Sequence, residues 1–241
     1  MHTLVVVTGG SAGLGAALLA AAPDAAYRVD VSRSGTAPDG GEHLALDLAE
    51  PADWARFDAQ IHRLVADRDW DRVTMVHNAG TLEPIGFAGE VDPAAYTRNV
   101  LLNSAAPQVL GDAFLRAVAG LEVRRELVLI SSGAATNARA GWSSYGAAKA
   151  AVDHWVRAVG KEQAQRGGTT VVAVAPGVVA TAMQEQIRAT ADRDFPGVER
   201  FRRMHDEGTL LEPDVVAGRL WQLLDEPDVV TGTVTDLRGR A

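Results

Sequence analysis

The chain has 241 residues, no cysteine, and 31 acidic against 23 basic side chains, which gives a formal net charge of −8 at pH 7. This length is enough for one sizeable core, and the lack of cysteine excludes disulfides, thiolate metal sites and a cysteine nucleophile. The acidic balance disfavours a nucleic-acid surface, and no apolar run approaches the roughly 20 residues of a membrane span. The N-terminus lacks the basic region and cleavage site of a signal peptide. We therefore expect a cytoplasmic protein that binds no metal, nucleic acid or membrane.

Short aliphatic and β-branched runs alternate with longer helical segments along the whole chain. The runs are almost continuously apolar, which is typical of strands covered by helices on both faces. Between two of them, Trp54, Phe57, Ile61, Leu64 and Val65 recur at helical spacing. Strand–helix alternation predicts one α/β domain over residues 1–241, with a doubly wound sheet of about seven parallel strands. The predicted strands are Leu4–Val7, Tyr27–Val31, His43–Leu46, Val73–Val76, Leu127–Ile130, Thr170–Val174 and Val229–Thr235.

The segment from about residue 182 to residue 210 interrupts this alternation. It is charged, contains Pro196 and Gly197, and joins the end of a predicted strand to a late helix. Long excursions after strand ends in this architecture often cover a ligand site. We expect this segment to cover the substrate.

A glycine-rich turn follows the first predicted strand and opens a helix predicted over Gly15–Ala22. Glycines let the backbone approach a pyrophosphate closely, and the N-terminus of the helix offers unpaired N–H groups. Glycines also serve ordinary tight turns, and their spacing here differs from the common dinucleotide fingerprint. The position after the first strand nevertheless favours dinucleotide binding. The candidate residues are Gly9, Ser11, Gly13, Leu14 and Gly15.

The second predicted strand ends in a serine and an arginine where enzymes specific for NAD usually carry an acid. The register places Ser32 at the tip instead of Asp30, with Arg33 and Ser34 beside it. An arginine suits the 2′-phosphate of NADP(H), whereas a plain surface charge is the alternative interpretation of Arg33. The tip therefore predicts NADPH as the cofactor, bound in part by Arg33 and Ser34.

A serine pair, a tyrosine and a lysine follow the fifth predicted strand. Tyr145 and Lys149 are four residues apart on one predicted helix, so their side chains share a face. The pKa of a tyrosine is ordinarily about 10, and a nearby ammonium lowers it. A hydroxyl from Ser132 could hold a substrate carbonyl oxygen while Tyr145 delivers its proton. Taken by themselves, a tyrosine and a lysine at this spacing could lie on the surface by chance. Their position later in a chain that also has a glycine turn and a serine pair at a strand end argues against chance.

Together these motifs resemble the short-chain dehydrogenase/reductase family over essentially the whole chain. The resemblance implies a Rossmann-like fold, a hydride transfer between NADPH and a carbonyl, and a homodimer or homotetramer. The family's spacing between serine and tyrosine selects Ser132 over Ser131. Its Asn-Asn-Ala-Gly motif appears here with His77 in the first position. The further cofactor contacts that the resemblance implies are Asp47, Leu48, Asn78, Ala79, Gly80, Tyr145, Lys149, Pro176, Gly177, Val178 and Thr181.

The resemblance also implies a fourth catalytic residue, an asparagine on the long helix before the fifth strand. Asn103 matches best, and Asn99 is the competitor. In the family's mechanism Lys149 lowers the pKa of the tyrosine and binds the nicotinamide ribose, while the asparagine holds a water that relays protons.

Within the family, the segments around Trp142 and Met183 are most similar to bacterial benzil reductases and sepiapterin reductases. This similarity implies reduction of a ketone or 1,2-diketone to the alcohol. Trp142 and Met183 are candidate walls of the substrate pocket, although both could be plain core residues. We expect no cationic anchor at the pocket, unless Arg188 turns inward. The alternatives are an alcohol dehydrogenase that works oxidatively at the same site and a cofactor-sensing regulator without turnover.

Overall fold

A computed structural model describes residues 2–239 and contains one sheet of seven parallel strands. The strands are β1 (Thr3–Thr8), β2 (Tyr27–Ser32), β3 (Glu42–Ala45), β4 (Arg72–His77), β5 (Arg124–Ile130), β6 (Thr170–Ala175) and β7 (Val234–Asp236). Their order across the sheet is β3-β2-β1-β4-β5-β6-β7. This order reverses between β1 and β4, the point at which open α/β sheets bind ligands. The predicted doubly wound, Rossmann-like sheet is confirmed.

Eight α-helices connect and follow these strands in the described residues. They are α1 (Gly13–Ala20), α2 (Pro51–Ala66), α3 (Pro93–Val100), α4 (Ala106–Ala117), α5 (Ser143–Arg166), α6 (Ala182–Ala189), α7 (Val198–Asp206) and α8 (Pro213–Asp225). Proline in the first turn of α2, α3 and α8 suits the missing N–H at that position. Helix α5 ends at Arg166 and is capped by Gly167, whose φ of +62° is left-handed. No helix within residues 2–239 is long and apolar enough to cross a membrane.

Helices cover both faces of the sheet because side chains of β1 alternate between two cores. Leu4 and Val6 face the core formed with α2, α4 and α5, whereas Val5 and Val7 face the core formed with α1 and α8. All four are fully buried. Burial of such a side chain contributes roughly 1.5–3 kcal/mol, so both faces need cover. The predicted stripe on α2 packs into the first core, with Trp54 at its margin.

The bounds of helix α1 and of all seven strands differ from the sequence predictions, mostly by one residue at an end, and β5 begins at Arg124, three residues before the predicted Leu127. Helix α1 begins at Gly13, two residues before the predicted start, and β3 is shifted by one residue. Strand β7 begins at Val234 instead of Val229, because the preceding residues form a turn. Gly232 adopts a φ of +85° in that turn and packs so tightly against Gly160 that a Cβ on Gly160 would lie 2.1 Å from the Cα of Gly232.

A third, smaller core joins helices α6 and α7 to the loop between β5 and α5. It contains the buried residues Leu82, Ala134, Trp142, Tyr145, Ile187, Phe195, Val198 and Phe201. Gly141 has a φ of +86°, and a Cβ there would lie 2.3 Å from the carbonyl oxygen of Asp194. A glycine is therefore required for the loop and the segment of residues 182–210 to pack this closely.

Candidate active site

One cavity of about 400 Å³ lies at the carboxyl ends of the central strands. The carboxyl ends of β1, β4, β5 and β6 contribute Gly9, Asn78, Ser132 and Pro176 to its wall. The parallel sheet brings these residues together because every strand ends at the same edge. The wall includes most of the predicted site residues, namely Gly9, Gly13, Leu14, Asn78, Ala79, Gly80, Ser132, Trp142, Tyr145, Lys149, Pro176, Gly177, Val178, Thr181 and Met183.

The glycine turn has the shape of a phosphate cradle. Gly9 and Gly13 adopt φ values of +67° and +53°, which favour glycine. A Cβ on Gly15 would lie 2.0 Å from the carbonyl oxygen of Gly9, so the turn closes only with glycine there. Ala12, which precedes α1, makes no side-chain hydrogen bond to the helix in the described structure. The first N–H groups of α1 can therefore bind an anion, and the residues present fit a dinucleotide.

Asp30 braces this turn from β2. Its buried carboxylate accepts hydrogen bonds from the Gly10 N–H at 2.8 Å and the Ser32 hydroxyl at 2.7 Å, and it lies 2.9 Å from His43 Nδ1. Asp30 thus points to the turn, while Arg33 and Ser34 lie exposed beyond the strand. The sequence pattern gave no sign of this bracing role, since an acid at a strand end also suits a ribose hydroxyl.

Asp47 lies near Arg33 at the same edge of the sheet. Partial burial raises the pKa of Asp47, but hydrogen bonds from Arg98 and the Ala49 N–H, with the charges of Arg98 and Arg33, lower it below its ordinary value. Asp47 is therefore a carboxylate already paired with Arg98. The side chain of Leu48 is buried in the core, which leaves only its backbone for a ligand.

Thr8 fastens the glycine turn to the end of β4. Its hydroxyl oxygen accepts hydrogen bonds from the N–H groups of Asn78 and Ala79, each at 3.0 Å. The Asn78 amide donates in return to the carbonyl oxygens of Thr8 and Gly9. Sequence analysis did not single out Thr8 as a site residue; a lone hydroxyl at the end of an aliphatic strand was the available signal.

A π-helical turn at Leu101–Ala105 places Asn103 beside the predicted lysine. Its amide is fixed by Thr81, whose N–H donates at 3.0 Å and whose carbonyl oxygen accepts at 2.7 Å. A Cβ on Gly80 would lie 2.8 Å from Asn103 Oδ1 and 3.8 Å from Lys149 Nζ, so Gly80 separates the two groups. Asn99 instead donates to the carbonyl oxygens of Thr81 and Glu83. The geometry favours Asn103 over Asn99.

The structure contradicts one expectation about Tyr145. Burial raises the pKa of Tyr145 above its ordinary value, and a hydrogen bond with Ser132 lowers it only in part. We expected the Lys149 ammonium to lower this pKa. Instead, Lys149 Nζ donates to the Ile130 carbonyl oxygen at 2.7 Å and lies 5.8 Å from the centre of the Tyr145 ring. Tyr145 is therefore a protonated phenol, suited to donate a proton.

Lys149 is itself strongly affected by its surroundings. Burial disfavours its ammonium and lowers its pKa to about 8, although the nearby carboxylate of Asp153 acts in the opposite direction. Asp153 is buried and accepts a 2.5 Å hydrogen bond from the Ser131 hydroxyl. Burial raises the pKa of Asp153, opposed by that hydrogen bond and by the charges of Arg157 and Lys149. The sequence places Asp153 one helical turn after Lys149 and so near the site, but it did not indicate this effect on the pKa of Lys149.

The walls of the cavity near Tyr145 are aromatic and aliphatic. Trp142 packs against Tyr145 with ring centres 5.7 Å apart and stacks on Phe195 at 4.6 Å. Both Trp142 and Met183 line the cavity, and Trp142 is also part of the third core. Trp142 is therefore both a wall of the cavity and a core residue.

The expectation of no cationic anchor is wrong. Arg139 and Arg200 line the cavity, whereas Arg188 is absent from the lining residues. Arg139 precedes α5 and Arg200 lies on α7, and only the packing of the third core brings these distant parts of the chain together. Among residues 2–239, no group of three or more histidine, aspartate or glutamate side chains could hold a metal ion.

Comparison with known proteins agrees with this geometry. A family model described as short chain dehydrogenase matches residues 3–192. Benzil reductase ((S)-benzoin forming) of Bacillus subtilis is 32% identical over 98% of each chain, and rat sepiapterin reductase is 27% identical over 80% of this chain and 73% of its own. The crystal structure of a short-chain dehydrogenase/reductase from Saccharomyces cerevisiae has a TM-score of 0.82 at 25% identity and covers 99% of this chain and 97% of its own. The chain belongs to the short-chain dehydrogenase/reductase family of oxidoreductases.

Proposed function

We propose that this protein reduces a ketone or 1,2-diketone to the alcohol with NADPH, and that Tyr145 is the proton donor. The observation that carries the proposal is the common cavity of the glycine turn, Ser132, Tyr145 and Lys149. At one end of the cavity, the glycine turn suits the phosphates of a dinucleotide. At the other end, the hydrogen-bonded hydroxyl groups of Ser132 and Tyr145 suit a substrate carbonyl. The family membership supplies the reaction class.

The residues divide the proposed chemistry between them. NADPH, when bound, would supply the hydride that the carbonyl carbon accepts. The carbonyl oxygen accepts a hydrogen bond from Ser132 and receives the phenol proton of Tyr145, which stabilises the charge that develops there. Lys149, with a pKa of about 8, remains an ammonium at neutral pH and can restore the proton of Tyr145. Asn103 lies beside that ammonium and would hold the water that relays protons to it.

The cofactor is proposed to lie along the carboxyl edge of the sheet. Gly9–Gly15 would hold the pyrophosphate, and Asn78–Gly80 and Pro176–Thr181 would hold the nicotinamide half. Arg33 and Ser34, exposed at the end of β2, would bind the 2′-phosphate of the adenosine ribose. Asp47 and the backbone of Leu48 would face the adenine, and exposed Ser11 the phosphates.

The substrate is proposed to occupy the apolar end of the cavity. Trp142 and Met183 would contact its apolar part, and the segment of residues 182–210 would cover it. Benzil reductase of Bacillus subtilis, by its name, reduces an aryl 1,2-diketone, and its similarity covers almost the whole chain. An adjacent carbonyl also makes the reacting carbon more electrophilic. We therefore propose aryl 1,2-diketones as substrates.

Replacement of Tyr145 by phenylalanine tests the catalytic assignment. Tyr145→Phe should lower kcat by about 100- to 10,000-fold, the usual range for a general acid, while the dissociation constant of NADPH stays nearly unchanged. Tyr96→Phe, which removes a hydroxyl next to Ser143 outside the cavity, is the matched control. Retention of more than about a tenth of wild-type activity in Tyr145→Phe would refute the assignment.

A substrate panel tests the rest of the proposal. We expect kcat/KM with NADPH to be much higher for benzil and for a phenyl-alkyl dione than for a matched monoketone. Failure to consume NADPH with every carbonyl of the panel would contradict the reductase proposal. A tenfold preference for the monoketone would contradict the diketone part alone.

A further inference from the structure

Two arginines at the apolar end of the cavity have no counter-charge. Arg139 and Arg200 both line the cavity, and neither guanidinium makes an ion pair or hydrogen bond to any other residue that the structure describes. The guanidinium carbon of Arg139 lies 5.8 Å from the centre of the Trp142 ring and 5.5 Å from that of Phe201. Stacking on these rings accounts for the position of Arg139, but none of the other described residues accepts a hydrogen bond from the N–H groups at the guanidinium edge.

The charge of the cavity wall is opposite to that of the protein. The charged residues in the wall are Arg139, Lys149, Arg200, Arg238 and Asp236. Asp236 is bound by Arg238 at 2.7 Å and Asp153 lies near Lys149, so Arg139 and Arg200 are the two cations of the described wall that face the cavity without a carboxylate partner. The chain as a whole carries a formal charge of −8. A positive cleft on an acidic protein attracts anions selectively.

The positive charges of the two arginines also repel each other. Partial burial, and after it the charge of Arg200, lowers the pKa of Arg139 below its ordinary value. Like charges held close together destabilise the charged state unless an anion joins them. A carboxylate between the two guanidinium groups would remove this repulsion and accept hydrogen bonds from both.

The distance from Tyr145 limits what such an anion can belong to. The Trp142 ring centre lies 5.7 Å from that of Tyr145 and 5.8 Å from the Arg139 guanidinium carbon, so Arg139 is within about 12 Å of the catalytic ring. The wall between them is aromatic. An acid group on the far side of a benzene ring from the reacting carbonyl lies within this limit.

We propose that Arg139 and Arg200 bind a carboxylate on the substrate, at the far end of an aryl group that carries the reacting carbonyl. The proposal rests on the proposed reductase function and specifies the substrate class within it. Arg139 and Arg200 are specificity residues here, since they touch the substrate remote from the reacting atoms.

Three matched substrates test the proposal: 1-phenylpropane-1,2-dione, its 4-carboxylated derivative, and the methyl ester of that derivative. For the wild-type enzyme we expect kcat/KM for the acid to exceed that for the ester by about 10- to 100-fold, the effect of charge-assisted hydrogen bonds. In Arg139→Gln/Arg200→Gln this advantage should disappear, while kcat/KM for the neutral dione and the ester should change less than threefold. Arg203→Gln removes the same charge from the exposed side of α7 and is the control.

Binding provides a readout that is independent of turnover. Isothermal titration of the carboxylated dione into the enzyme–NADP⁺ complex, which cannot react, should show the same loss of affinity in the double variant. Equal kcat/KM for acid and ester in the wild type would overturn the proposal, as would an equal loss for all three substrates. A loss of NADPH affinity with unchanged preference for the acid would assign the arginines to the cofactor and overturn it too. Failure of the wild type to reduce any of the three compounds would instead contradict the proposed function.

Discussion

Replacement of His77 by asparagine should make the folded protein less sensitive to acid. His77 ends β4, and its imidazole is only 3% exposed. Nδ1 lies 3.3 Å from the Thr8 hydroxyl, and Nε2 has no hydrogen-bond partner in the part of the chain that the structure describes. Burial, together with the charge of Lys149, lowers the pKa of His77 to about 3 from an ordinary value of 6.5. The folded protein therefore keeps a neutral imidazole where the unfolded chain binds a proton.

The direction and size of the effect follow from these two pKa values. Because only the unfolded state takes up the proton between about pH 6.5 and pH 3, the free energy of unfolding falls as the pH drops through this range. At 1.36 kcal/mol per pH unit, the loss between pH 7 and pH 5 is about 2 kcal/mol. Asparagine keeps a polar group near Thr8 but does not titrate, so the variant should lack this loss.

Urea unfolding followed by tryptophan fluorescence at pH 7, 6 and 5 measures the difference. Between pH 7 and pH 5 the wild type should lose about 2 kcal/mol more than His77→Asn. His205→Asn removes an exposed histidine from α7 and should follow the wild type. Parallel pH profiles for the wild type and His77→Asn would refute the buried neutral imidazole.

Three further predictions concern the cofactor and the sheet. Arg33→Ala should weaken NADPH binding about 10- to 100-fold and leave NADH binding nearly unchanged, because the lost contact is a charged hydrogen bond; equal wild-type affinities in fluorescence titrations would contradict this. Gly15→Ala should abolish NADPH binding, since its Cβ would lie 2.0 Å from a backbone oxygen, whereas Gly218→Ala, with nothing within 4 Å, should bind normally. Arg72→Met should destabilise the fold by about 3 kcal/mol in urea unfolding, because it leaves Glu126 buried without its 2.8 Å partner. A loss below about 1 kcal/mol would mean that the remaining partners of Glu126 suffice.

The features that the sequence predicted correctly depend on neighbours along the chain. A strand covered on both faces must be apolar at nearly every position, so runs such as Leu4–Val7 and Val73–Val76 identified the sheet. The glycine turn was visible because a helix immediately follows it. Tyr145 and Lys149 were visible as a pair because one helical turn separates them. Local patterns therefore predicted the fold class and most of the residues that line the cavity.

Tertiary structure alone decided which charges meet. The sequence did not indicate that Asp30 turns toward Gly10, or that the burial of Tyr145 outweighs any effect of Lys149 on its pKa. Nor did it bring Arg139 and Arg200 to one cavity, because their approach depends on the packing of Trp142 against α7. Burial and through-space charge depend on what surrounds a group in three dimensions, and residues distant in sequence supply most of those surroundings. The sequence thus determined the family and its reaction class, and the packing of the third core determined the charge at the apolar end of the cavity.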